Sequence, residues 1–243
     1  MDGSEGKARG GAPLEPRPYA VRDERRLTIL AEDGLALDAR LASPTSPSRV
    51  VVLAHPHPLY GGSMDDPVTL ALSRVLGEGG AATLRFDFRG VGRSEGRHGG
   101  GVPEIGDLLG ALRVASREHP SLPISVVGYS FGSWVALQAA RTHLHPIDRV
   151  ALLAPAMTVL AYDGLPPYAT AARFERPIAM ALGDRDGFSD PARARVLAGR
   201  IGASIAVLSG EGHFFPRTRR RVAEMLAPFL LGTRDRIDEG DFA

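Results

Sequence analysis

Two pentapeptides in this 243-residue chain match G-x-S-x-G, a pattern that sets a serine hydroxyl on a sharp turn. They are Gly128-Tyr129-Ser130-Phe131-Gly132 and Gly92-Arg93-Ser94-Glu95-Gly96. Among 29 glycines such a match arises by chance often enough that context has to decide. A reactive serine of this kind needs a strand running into it and a helix leaving at once, with glycines where the turn packs closely. Ser130 has ISVV shortly before it and the helix-forming run FGSWVALQAARTH after it. Ser94 is followed by GRHGGG, which forms no stable helix. Ser130 is therefore the candidate nucleophile, in preference to an ordinary helix N-cap serine. Ser94 is read as a loop residue.

A serine hydroxyl attacks at neutral pH only when a base takes its proton and a carboxylate orients that base. Of seven histidines, His213 in GEGHFF alone follows the last predicted strand and precedes the last helix. His143 and His145 close the helix after Ser130, His119 closes the one before, His98 lies in a glycine loop, and His55 and His57 follow the third strand. The segment IAMALGDRDGF offers Asp184 and Asp186 as the acid. Asp186, farther into the loop, is favoured; Asp184 is expected to tie down the turn and Asp190 to cap a helix. The oxyanion hole takes one backbone N–H from Phe131 and one from the loop HPHPLYGG, residues 55–62. Pro56 and Pro58 have no N–H, which leaves His57, Leu59, Tyr60 or a glycine. His57, through its backbone, is the preferred donor.

The elements that must hold these residues are legible as alternating apolar runs. Residues 25–32 and 35–42 form a hairpin around Asp33-Gly34, and 49–54 is a continuous apolar strand. A helix fits 65–77, capped by Asp65 or Asp66 with Pro67 in its first turn. Further strands fit 82–88, 123–128, 148–154, 177–183 and 203–208, and further helices 103–118, 131–143, 189–200 and 216–231. This order predicts an α/β fold: a mostly parallel eight-stranded sheet with helices on both faces. One domain is expected over 19–231, with a disordered leader at 1–18 and a polar tail at 232–243.

Composition excludes other chemistries. A net charge of +1 argues against a general polyanion binder, so no nucleic-acid partner is expected. The absence of cysteine removes disulfides, thiolate metal sites and a cysteine nucleophile, and Lys7 as the only lysine removes a Schiff-base lysine from the core. No apolar run approaches the roughly 20 residues of a membrane span. The first residues lack the apolar stretch of a secretory signal, and the expected compartment is the cytoplasm. His55-x-His57 has no further ligand at metal spacing, and the glycine loop at 90–96 has no P-loop lysine, so neither metal nor cofactor is expected. Arg217, Arg219, Arg220 and Arg221 form either a solvated face or a patch drawing anionic substrates. A homodimer enters only as the commonest assembly of soluble chains.

In this order, HPHPLYGG, FDFRGVGRSEG, GYSFG, GDRDG and GEGHFF resemble the α/β-hydrolase superfamily over residues 25–231. The HPHP loop is similar to that of small bacterial hydrolases related to dienelactone hydrolase-like and acyl-peptidase-like branches. Pro56 stands where the superfamily usually has glycine. The resemblance implies the α/β-hydrolase fold and a structural loop at Asp87, Arg89, Gly90, Gly92 and Ser94, read here as a turn held by an Asp–Arg pair. A minimal cap is expected from the short segment 156–175, with Met157, Leu160, Tyr162, Tyr168 and Phe174 as wall residues. The function expected is a carboxylic-ester hydrolase with the triad Ser130, Asp186 and His213, acting on small or medium soluble acyl substrates. The alternatives are a thioesterase, peptidase or acyltransferase with the same triad, or a non-catalytic binding protein on this fold.

Overall fold

The computed structural model describes residues 24–157 and 174–242. The expected leader 1–18, most of the expected cap segment, and Leu160, Tyr162 and Tyr168 lie outside the described residues. Eight strands form one sheet: β1 (Glu24–Leu30), β2 (Ala36–Ala42), β3 (Arg49–Ala54), β4 (Ala81–Phe86), β5 (Ile124–Tyr129), β6 (Arg149–Leu153), β7 (Ile178–Gly183) and β8 (Ser204–Leu208). Their spatial order is β1-β2-β4-β3-β5-β6-β7-β8. β1 and β2 are antiparallel, β2 meets β4 antiparallel, and the other pairs are parallel.

The sheet is covered on both sides, which is why β3, β5 and β7 are buried along their whole length and largely apolar. On one face lie α2 (Val102–Glu118), α3 (Phe131–Arg141) and α4 (Pro191–Ile201), packed on Val50, Val52, Val126 and Leu152. On the other lie α1 (Pro67–Glu78) and α5 (Arg219–Leu230), packed on Val51, Leu53, Val127 and Leu153. These sets alternate residue by residue along β3, β5 and β6, so a slip of one position would exchange the two cores. Asp66 and Asp190 cap α1 and α4 through side-chain bonds to the second and third helical N–H groups, each followed by a proline. Between β3 and β5 the chain order reverses direction across the sheet. Ligands of such sheets bind at the carboxyl ends of the strands beside this switch, where Ser130, Asp186 and His213 all emerge.

Several boundaries differ from the sequence reading for local reasons. β4 stops at Phe86 instead of 88: Asp87 N–H still reaches Asp38 O across β2 (2.9 Å), but Phe88 N–H is captured by His55 Nε2 (3.0 Å). α5 starts at Arg219 instead of 216, after a turn in which Phe215 takes φ 44° and Thr218 N–H bonds Phe215 O. α3 ends at Arg141, followed by His143 at φ 54°. The polar tail is also more engaged than its composition implies. Ile237 and Phe242 are buried in the second core, Ile237 N–H donates to Ser204 Oγ, and Arg221 lies over the Phe242 ring. No described helix is long and apolar enough to cross a membrane.

Candidate active site

Ser130 sits between the last residue of β5 and the first of α3, with φ 54° and ψ −114°. A non-glycine residue rarely adopts this conformation, which costs about 1–3 kcal/mol and persists only where surrounding contacts impose it. Those contacts are visible. Ser130 N–H donates to Leu153 O (2.9 Å), and Ser133 Oγ bridges Gly128 O (2.7 Å) and Leu153 O (2.9 Å). A Cβ on Gly128 would overlap Gly132 O, and one on Gly132 would overlap Ala54 O. Both glycines of the motif are therefore required by close backbone packing.

His213 Nε2 lies 2.9 Å from Ser130 Oγ, and His213 Nδ1 lies 2.8 and 3.0 Å from the two oxygens of Asp186. A carboxylate only accepts, so Nδ1 carries the proton and Nε2 is left to accept from the serine hydroxyl. Asp186 Oδ1 also accepts from Phe188 N–H (2.8 Å) and Ser189 N–H (3.0 Å), which fixes its rotamer. Tyr129 OH donates to His213 O (3.0 Å), locking the histidine backbone to β5. Asp184 faces elsewhere, with Oδ1 accepting from Gly210 N–H (2.7 Å), as its expected turn role requires. The three residues are buried, at 5–7% exposure, and Ser130 and His213 line a cavity of about 370 Å³.

The loop after β3 uses its polar groups unevenly. His55 is fully buried: Nδ1–H donates to Pro56 O (2.6 Å) and Nε2 accepts from Phe88 N–H. Burial pushes its pKa down to about 3, so the ring is a neutral structural brace. Residues 58–60 form one 3₁₀ turn, in which Leu59 N–H bonds His57 Nδ1, Tyr60 and Gly62 N–H bond His57 O, and Gly61 N–H bonds Pro58 O. Among the described residues, the His57 N–H is thus left without an acceptor in this loop. Phe131 N–H, at the first position of α3, likewise has no intrahelical acceptor.

Asp87 Oδ1 accepts from Met64 N–H (2.7 Å), and Ser94 Oγ donates to Asp87 O (2.7 Å) while accepting from Asp38 N–H (2.9 Å). The loop is structural, but its ion pair is not the expected one. Arg89 binds Asp107 and Asp33, at 2.6 and 2.8 Å, because β4 has already ended and its side chain turns toward α2 and the β1–β2 turn. None of Arg217, Arg219, Arg220 and Arg221 lines the cavity; Arg220 pairs with Glu78 and Glu224. Met157 and Phe174 pack with the first core and are not cavity walls.

Two features were not legible in the sequence. His98, with Nδ1 2.9 Å from the buried Glu104, meets the His57 ring at a tilt (4.8 Å between ring centres) and the Phe131 ring edge-on (5.4 Å). Asp66 is both the cap of α1 and a wall of the cavity. No signal marks the first; the second is hidden because a capping aspartate has a sufficient local explanation. Among the described residues no group of histidine and carboxylate side chains is arranged to hold a metal.

A family model described as serine aminopeptidase, S33, matches residues 45–174, more than half of the chain. A monoacylglycerol lipase from Mycolicibacterium smegmatis is 29% identical over 218 residues, covering 79% of this chain and 72% of that one. Among solved structures, an α/β serine hydrolase homologue from Coxiella burnetii superposes with a TM-score of 0.75 at 28% identity, covering 87% of this chain and 99% of its own. An α/β serine hydrolase without a lid, from Xanthomonas campestris, shares the fold at a TM-score of 0.74 and 24% identity, covering 89% of this chain and 97% of its own.

Proposed function

Because the chain belongs to the α/β-hydrolase superfamily, through the family described as serine aminopeptidase, S33, we propose that it is a carboxylic-ester hydrolase working through an acyl-enzyme on Ser130. The observation that carries this reading is the unbroken line of hydrogen bonds from Ser130 Oγ through His213 to Asp186 at the cavity edge. Ser130 Oγ attacks the acyl carbon as His213 Nε2 takes its proton. Asp186 keeps the imidazole in the required tautomer and stabilises the imidazolium. The oxyanion is received by the N–H groups of Phe131 and His57, neither of which is spent within its helix or loop. His213 then gives its proton to the departing alcohol. Water, deprotonated in turn by His213, attacks the acyl carbon and releases the acid, restoring Ser130.

The same intermediate would serve a thioester, an amide or transfer to another acceptor; the relative named a monoacylglycerol lipase supports esters. A chain without cysteine and acting on small soluble acyl compounds suits the cytoplasm. The test is covalent labelling by a fluorophosphonate, with the modified residue read by mass spectrometry, alongside hydrolysis of p-nitrophenyl butyrate. Labelling at Ser130 and turnover, both lost in a folded Ser130→Ala variant, are expected. A folded wild type that is neither labelled nor active would overturn the reading.

A further inference from the structure

The proposed acyl transfer leaves one cavity carboxylate without a task. Asp66 Oδ1 is spent on the N–H groups of Val68 and Thr69, at 2.8 and 3.4 Å. Its Oδ2 makes no hydrogen bond or salt bridge among the described residues, Arg219 of α5 acting on the carboxylate only through space, and Asp66 lines the cavity beside Ser130. Such an oxygen beside a substrate space is a site for a hydrogen-bond donor or a positive charge.

The walls next to it favour the charge. Phe188 and Phe214 line the same cavity, pack on the His213 ring at 4.8 and 5.1 Å between ring centres, and stand 6.3 Å from each other. Both remain partly exposed, at 40% and 61%. Aromatic faces attract ammonium groups, and quaternary nitrogen in particular is recognised by such rings. The side of the cavity is also defined. His213 protonates the departing oxygen, so the alcohol portion of an ester lies on the His213 side. Phe188 and Phe214 flank that side, and Asp66 lines the same cavity.

We propose that this cavity selects esters whose alcohol portion carries a cationic nitrogen, received between Asp66 and the rings of Phe188 and Phe214. The inference rests on the hydrolase reading above and uses its chemistry unchanged. The bond from acyl carbon to alcohol oxygen breaks, the bond from that carbon to Ser130 Oγ forms, and the proton on His213 leaves with the amino alcohol.

The experiment compares kcat/KM for butyrylcholine with that for 3,3-dimethylbutyl butyrate, its uncharged isostere, and for glyceryl monobutyrate, at pH 8 and low ionic strength. Wild type is expected to favour the choline ester over the isostere by about tenfold or more. In Asp66→Asn, which keeps a good helix cap, that ratio should fall to about threefold or less. The ratio is the right readout because any effect of Asp66 on His213 is common to all three esters. Choline should also slow fluorophosphonate labelling of wild-type Ser130 more than 3,3-dimethylbutanol does, a measurement that needs no variant. Equal ratios in the wild type, a preference unchanged in a folded Asp66→Asn, or a stronger preference for the glyceryl ester would each overturn the proposal. Hydrolysis and labelling without charge discrimination sink this inference alone, whereas absence of both removes the hydrolase reading with it.

Discussion

His55 makes the chain's acid sensitivity calculable. In the native state its ring is buried, donating to Pro56 O and accepting from Phe88 N–H, and its pKa is pushed down to about 3. Unfolded, it takes a proton near 6.5. The native value lies below the unfolded one, so the associated stability is fully present above about pH 6.5 and is lost as pH falls toward 3. The gap is worth about 5 kcal/mol when fully expressed, of which about 2 kcal/mol is already lost between pH 8 and pH 5. His55→Asn removes the titrating group but can satisfy only one of the two backbone partners. At pH 8 it should therefore cost about 1–3 kcal/mol, and by pH 5 the difference from wild type should shrink by about 2 kcal/mol. Urea unfolding of both proteins at the two pH values measures this directly. Asp87, pushed up to about 6 chiefly by burial, titrates with the opposite sign, but it is present in both proteins and cancels in the comparison. Parallel losses of stability in the two proteins would refute the assignment of a neutral, buried brace.

Two further outcomes follow from the geometry around Ser130. Asp186→Asn keeps an oxygen for the Phe188 and Ser189 N–H groups but turns an amide N–H toward His213. Turnover of p-nitrophenyl butyrate should fall by about 10³–10⁴ with the urea midpoint nearly unchanged; a loss below tenfold would remove Asp186 from its proposed role. Gly132→Ala drives a Cβ into Ala54 O, a backbone atom that cannot rotate away. Destabilisation of at least about 2 kcal/mol is expected, and a change in unfolding free energy below about 0.5 kcal/mol would show that the turn is less tightly packed than described.

What was legible in the sequence was what local signals encode. A strand, a tight turn and a helix in immediate succession separate Ser130 from Ser94, and chain order then points to His213. Asp186 and Asp184 are two residues apart on the same loop. Only the direction each side chain takes, toward His213 or toward Gly210 N–H, distinguishes them. The early end of β4 is hidden because the group that captures Phe88 N–H belongs to His55, 33 positions away. Ile237 and Phe242 were read as tail because isolated apolar residues in a polar run carry no periodicity, yet each finds a place in the core. Asp66 shows the reverse difficulty: one complete local explanation concealed a second role.

The backbone of Ser130 has an implication for how this chain can vary. At φ 54° and ψ −114° a glycine would rest without strain, so the position that suits the fold best is occupied by a residue the fold resists. Selection for stability alone would drift this site toward glycine and silence. A serine held there points to a use other than folding, at a turn where close packing at Gly128 and Gly132 leaves the backbone little room to relax.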